Sequence, residues 1–344
     1  MQLRVRLPKF DGMGCFDGQV VVVTGASSGV GRAVARAFGA EGARVALVAR
    51  NPEALENAAR EIRQSGGEAA VFPIDVAEAQ AVEAVARTVV ERWGGIDVWV
   101  NNAMVTVLSP VAEMTAHEYQ RVTDVTYLGT VHGTLAALRQ MRARNSGTIL
   151  QIGSALAYRS IPLQSAYCGA KAAIRGFTDS LRSELLHDRS EIRVCMLQLP
   201  AVNTPQFQVA RSRLPNQPMP VPPVFQPEVI ARAALYAARH PCRELWIAGS
   251  TWKAIVSAKV AGPIGDWVLA HEGYSGQQTD QPIDPHRPDN LDRYVPGDRG
   301  AHGLFDDRSH AYSLELWART HRAGLLAAAG LLALAAGTLV GRQR

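Results

Sequence analysis

QVVVVTGASSGVG, residues 19–31, decides the fold. Its first six residues form an apolar run, the pattern of a strand covered on both faces within a parallel sheet. The run passes straight into Gly25-Ala-Ser27-Ser28-Gly29-Val30-Gly31. Val30, Ala33, Val34, Ala37 and Phe38 then recur at helical spacing, and Gly39 and Gly42 surround the stop. Strand, glycine-rich turn and helix in that order aim a helix N-terminus at the space above the strand end. Backbone N–H groups and the positive end of the helix dipole hold a diphosphate there. The glycines let the backbone approach the phosphates and let the helix pack on the strand.

Working outward, Arg44 to Arg50 (RVALVAR) reads as a second strand. Dinucleotide-binding sheets recognise the adenosine ribose at the end of this strand, where an acid favours a free 2′-hydroxyl and an arginine a 2′-phosphate. Ala49 and Arg50 supply no acid and one guanidinium, which argues for NADP; the bland alternative is a solvated loop arginine. Asn51-Pro52 then opens a helix with a cap residue and a proline at its first position. Further strands are expected at 69–74, ending in Asp75, and at 98–100, leading into Asn101-Asn102-Ala103. Others are expected at 148–152, 192–199 and 244–248. Helices are expected between them, including one long helix over Thr115 to Arg142 and another over Ser165 to Leu186. This alternation predicts an α/β fold with a doubly wound parallel sheet. Its crevice lies at the carboxyl ends of the strands, where Gly25, Asp75, Asn102, Ser154 and Pro200 fall.

In the helix at 165–186, Tyr167 and Lys171 are i and i+4 and project from one face. A phenol beside an ammonium is a usable acid/base group, because the positive charge favours phenolate and lowers a pKa that starts near ~10. The chain holds only four lysines: Lys9, Lys171, Lys253 and Lys259. Lys171 could alternatively be a solvated helix residue.

The bulk properties exclude several classes. At 344 residues, 47% apolar and 19% charged, the chain can bury a sizeable core. Its net charge of +5 comes from spread-out arginines without aromatic interleaving, so no nucleic-acid surface is indicated. Cys15, Cys168, Cys195 and Cys242 show neither CxxC nor paired spacing, which fits reduced thiols in a cytosolic compartment. The nine histidines lack ligand spacing, so no metal site is expected. The N-terminus has no continuous apolar core of the signal-peptide kind.

Thr24-Gly25-x-x-x-Gly29-x-Gly31, Asp75, Asn101-Asn102-Ala103, Ser154 and Tyr167-x-x-x-Lys171 occur in the order and spacing of the short-chain dehydrogenase/reductases. Over residues 19–250 the chain resembles that family. The resemblance implies a Rossmann-like domain there, preceded by a segment at 1–18. It implies that Tyr167 is the general acid/base, that Lys171 lowers its pKa and holds the nicotinamide ribose, and that Ser154 hydrogen-bonds the substrate oxygen. Thr24, Gly25, Ser27, Ser28, Gly29, Val30 and Gly31 would hold the diphosphate. Asp75 and Val76 would contact the adenine, and Asn102 and Ala103 would line the adenosine side. The segment Pro200 to Thr204 would close over the nicotinamide.

The pattern has three departures. Thr126 stands where the family usually has an asparagine in the long helix, whose backbone carbonyl holds a relay water. Met104 replaces a glycine, and Pro200-Ala201-Val202 is one residue short. Substrate contacts in this family come from the segment after the serine and from the loop after the sixth strand. Here these offer Leu156, Tyr158, Ile161, Pro162, Leu163, Phe207, Val209, Leu214, Met219 and Val224, which favours an apolar substrate. The proline-rich loop 203–226 is long enough to be a lid.

Beyond about Gly249 the resemblance ends. Residues 251–315 read as an extension with a helix or two, and 272–310 as an ordered arm or a linker. Residues 316–344 read as a C-terminal membrane anchor, because Ala323 to Gly341 holds nineteen residues without a charge. As a helix this stretch would reach ~28 Å, close to the ~30 Å hydrocarbon core. The alternative is an apolar helix docked on protein or used in oligomerisation. The expectation is therefore an NADP(H)-dependent oxidoreductase for a lipophilic substrate, at the cytoplasmic face of a membrane, assembled as a homodimer or homotetramer. The rival is a membrane-tethered NADP-binding scaffold or redox sensor that has lost catalysis.

Overall fold

Alternate residues of the first strand serve two different cores. In the computed structural model, which describes residues 16–322 and 324 except 241 and 285, Val21 and Val23 pack into one buried cluster and Val20 and Val22 into another. This strand, β1 (Val20–Thr24), is central to a parallel seven-stranded sheet with β2 (Arg44–Ala49), β3 (Glu68–Pro73), β4 (Val98–Asn101), β5 (Gly147–Ile152), β6 (Ile192–Gln198) and β7 (Glu244–Trp246). The order across the sheet is β7-β6-β5-β4-β1-β2-β3. The chain winds out to β3 and then returns to β4 on the other side of β1, so a crevice opens between β1 and β4 at their carboxyl ends.

Helices cover both faces. α1 (Gly29–Ala40) and α2 (Pro52–Gln64) lie on one face, and α3 (Ala79–Trp93) on the other. Asn51 caps α2 by accepting from Ala54 N at 3.2 Å, with Pro52 at the first helical position. The single helix expected over 115–142 runs without a break over 116–142, with a π-helical turn inside it. Its parts are α4 (Ala116–Val122), the π-helical turn at Thr123–Leu128 and α5 (Gly129–Arg142). Thr126 is the cause to hand: its buried hydroxyl donates to Val105 O at 3.1 Å and accepts from Val105 N at 3.2 Å. A wider turn brings that side chain onto the loop after β4, as π-helical turns at functional sites often do. α6 (Ser165–His187) runs where expected, and α7 (Pro227–Arg239) packs beside α1.

After β7 come α8 (Gly249–Val260) and α9 (Gly262–Glu272). Residues 275–313 form an ordered arm. Gln278–Pro282 pairs antiparallel with Asn216–Pro218, and Ser309–His310 pairs parallel with Val224–Phe225. Between these pairings the arm crosses the carboxyl ends of the strands. The chain continues through α10 (Leu314–Thr320), whose Leu316 is buried. The apolar stretch at 323–341 lies, apart from Gly324, outside the described residues, as do 1–15. Among the described residues no helix is long and apolar enough to cross a membrane.

Candidate active site

Thr24 ends β1 and ties the glycine turn to the end of β4. Its hydroxyl donates to Val100 O at 3.2 Å and accepts from Asn102 N at 2.9 Å and Ala103 N at 3.1 Å, while Asn102 Nδ2 donates to Thr24 O at 2.9 Å. Gly25 has φ +69° and Gly29 φ +56°, a region open to glycine at little strain. A Cβ at Gly31 would lie 2.2 Å from Gly25 O and 2.5 Å from Asn102 Nδ2, so only glycine lets α1 start this close to the strand. Thr204 faces Gly29 across the turn; a Cβ on Gly29 would meet its side chain at 3.2 Å.

These residues border a cavity of about 490 Å³ at the strand ends. Gly25, Ser27, Ser28, Gly29 and Val30 line one part, with Arg50, Asp75, Val76, Asn102, Ala103 and Thr204, while Ser154, Tyr167 and Lys171 line another. Thr24 and Gly31 stand behind the lining and hold its shape. The bare glycine turn, the α1 N-terminus and the size of the cavity fit a dinucleotide.

At the other end Ser154, directly after β5, and Tyr167, on α6, come together. The Ser154 hydroxyl accepts from Leu156 N at 3.1 Å and hydrogen-bonds the Tyr167 phenol. Lys171 lies one turn on, with Nζ 5.5 Å from the Tyr167 ring centre, and it donates to Ile152 O at 2.6 Å. Burial sets the electrostatics. It raises the Tyr167 pKa above the ordinary phenol value, against the opposing pull of the Ser154 hydrogen bond. It lowers Lys171 from 10.5 to about 7. The expected depression of Tyr167 by Lys171 is not seen in the free protein, where burial moves the phenol up and the amine down. The Thr126 backbone carbonyl accepts from the Thr130 hydroxyl at 2.9 Å.

The adenosine end adds two observations. Arg50 gives Nη1 to Leu291 O at 3.2 Å and Nη2 to Asn290 O, so its guanidinium is shared with the arm and is not a solvated loop charge. Asp75 is ion-paired with Arg121 and accepts from Ala77 N at 3.0 Å. On the substrate side Leu156, Ile161, Phe207, Val209 and Met219 line the cavity, together with Met104. Leu163 and Leu214 instead pack against Leu108 and Ala210 in a small buried cluster, and Tyr158 donates to Glu244 at 2.6 Å. Sequence reasoning missed Arg159, the Pro220–Pro223 wall beside Met219, and Asn290, Tyr294, Val295, Gly297 and Arg299 of the arm, all of which line the cavity. The arm carried little signal, because it has no sustained helical or strand periodicity and its partners lie far away in sequence. The thiols of Cys195 and Cys242, unpaired by sequence spacing, stand 3.2 Å apart between β6 and the start of β7.

The short chain dehydrogenase family model matches residues 19–214. The chain belongs to that family. Short chain dehydrogenases named as oxidoreductases resemble it at length. It is 34% identical over 276 residues to the uncharacterized oxidoreductase YxnA of Bacillus subtilis (strain 168), covering 79% of this chain and 77% of that one. It is 32% identical over 222 residues to a fatty acyl-CoA reductase of Acinetobacter baylyi, covering 64% of this chain and 72% of that one. Among solved structures, an alcohol dehydrogenase from the archaeon Thermococcus sibiricus complexed with 5-hydroxy-NADP matches with a TM-score of 0.58 at 29% identity. That match covers 66% of this chain and 95% of the other. As a short chain dehydrogenase the protein is an oxidoreductase acting between CH–OH and C=O, with a nicotinamide cofactor.

Proposed function

We propose that the protein is an NADP-dependent dehydrogenase/reductase that interconverts a ketone or aldehyde and its alcohol on a lipophilic substrate. The observation that carries this is the convergence of Ser154, Tyr167 and Lys171 at one end of a cavity whose other end is the glycine turn, with apolar side chains between. The bound nicotinamide supplies or accepts the hydride. In reduction the Tyr167 phenol donates its proton to the carbonyl oxygen, and Ser154 hydrogen-bonds the same oxygen as negative charge develops there. A raised phenol pKa suits the donating direction, since the proton is present at neutral pH. Lys171 holds the nicotinamide ribose and, when protonated, stabilises the phenolate left behind. These intact groups favour the enzyme over a non-catalytic scaffold.

The NADP reading is supported by Arg50 at the end of β2, by the lack of an acid there, and by a related structure that holds an NADP derivative. The lipophilic substrate is supported by the apolar lining and by resemblance to a protein named as a fatty acyl-CoA reductase. An uncharged stretch at 323–341 supports attachment to a membrane. Tyr167→Phe should lower the rate of NADPH oxidation with a reducible lipid extract at least a thousandfold while NADPH still binds. Undiminished turnover would falsify the mechanism.

A further inference from the structure

Two docking points of the arm lie three residues apart, and each sits on a landmark of the cofactor cleft. Asn51, the residue after Arg50 at the end of β2, donates Nδ2 to Gly297 O at 3.0 Å. Gly29, the first residue of α1, donates its N–H to Gly300 O at 3.1 Å. Asp298, between them, is ion-paired with Arg32 of α1 and accepts from Asn57 Nδ2 of α2 at 2.8 Å. The arm is therefore clamped across the gap between the ribose end and the diphosphate end of the cleft.

Arg299 sits inside this clamp and lines the cavity. Its Nη1 donates to Pro296 O at 3.0 Å and Val295 O at 3.3 Å, both within the arm. Among the described residues no carboxylate lies within ion-pair distance of it, whereas Arg32 beside it is neutralised by both Glu61 and Asp298. A guanidinium fixed by carbonyls, half-buried and without a counter-anion suits a phosphate, which its remaining N–H groups would meet in a charge-assisted pair. Arg50 already spends two of its donors on arm carbonyls, so a second cation here has a role to fill.

We infer that Arg299 is a phosphate ligand of the bound dinucleotide, delivered by a C-terminal arm that forms part of the cofactor site. The inference rests on the dinucleotide reading above. The phosphate is either the 2′-phosphate or the diphosphate, and the two are separable by experiment.

The test is fluorescence titration of the full-length protein with NADPH and with NADH, for wild type, Arg299→Ala and Arg299→Lys. Loss of tenfold or more in NADPH affinity with little change for NADH assigns the 2′-phosphate. Loss of tenfold or more for both assigns the diphosphate, provided that Arg299→Lys restores much of it and that the loss shrinks as salt rises. Dissociation constants within threefold of wild type for both cofactors overturn the inference. So does an equal loss that lysine does not restore and salt does not change, which marks a purely structural role in the arm. Equal affinity of the wild type for NADPH and NADH sinks the NADP preference by itself. Arg299 is then still judged by the losses in the variants, so the two failures are distinguishable.

Discussion

Lys171→Met should stabilise the free protein at pH 6, and the advantage should shrink as pH rises. The ammonium is 3% exposed and, among the described residues, donates only to the Ile152 carbonyl, at 2.6 Å. Burial lowers its pKa from 10.5 to about 7. Between these two values the unfolded chain binds a proton that the folded chain does not, so wild-type stability rises with pH across that window. Below it the full penalty applies. At 1.36 kcal/mol per pKa unit, the folded state carries a cost of about 5 kcal/mol at pH 6, and of about 2 kcal/mol at pH 9. Methionine fills a similar volume without the charge. It forfeits the hydrogen bond to Ile152 and leaves that carbonyl unpaired, about 1–3 kcal/mol at either pH. The diagnostic quantity is therefore the change with pH: the variant's advantage should fall by about 3 kcal/mol from pH 6 to pH 9. Urea unfolding of cofactor-free wild type and variant at the two pH values measures it. An advantage that stays constant within about 1 kcal/mol refutes the buried-ammonium account, whatever its sign. The variant should also lose turnover, a trade of stability for activity.

The thiol pair and the C-terminus provide two further predictions. The hydrogen bond from Cys195, assisted by Arg319, lowers the Cys242 thiol pKa to about 7, so iodoacetamide labelling of Cys242 should rise with pH at a lower pH than for an ordinary thiol. Cys195→Ala should slow that labelling, and an unchanged rate would remove the thiol–thiol hydrogen bond as its cause. For the membrane, a chain ending at residue 322 keeps the buried Leu316 and α10. It should appear in the supernatant of fractionated cells while the full chain pellets with membranes. Identical distributions of the two would end the membrane-anchor reading.

What could be read in advance follows from where each interaction has its partners. Strands covered on both faces must be apolar throughout, so QVVVVT and RVALVA announce themselves, and the glycine turn follows from one close approach, Gly31 to Gly25. The π-helical turn was not legible, because it depends on Thr126 meeting Val105, which lies 21 residues earlier. The Cys195–Cys242 pair was hidden in the same way: 47 residues separate the two thiols, and only the pairing of β6 with β7 brings them together. Arg50 was legible as a cation at the ribose end. Its partners were not, because carbonyls of Asn290 and Leu291 leave no trace in side-chain pattern. The Tyr167–Lys171 spacing shows the limit most clearly. An i, i+4 interval specifies that two side chains share a helix face, and that much survives in the structure. It says nothing of the medium around them. In water an ammonium at this distance would favour phenolate; at this depth desolvation raises the phenol and lowers the amine to about 7. Negative charge brought into the crevice would raise the lysine's pKa again. A phosphorylated dinucleotide would carry such charge into the cavity that Lys171 lines.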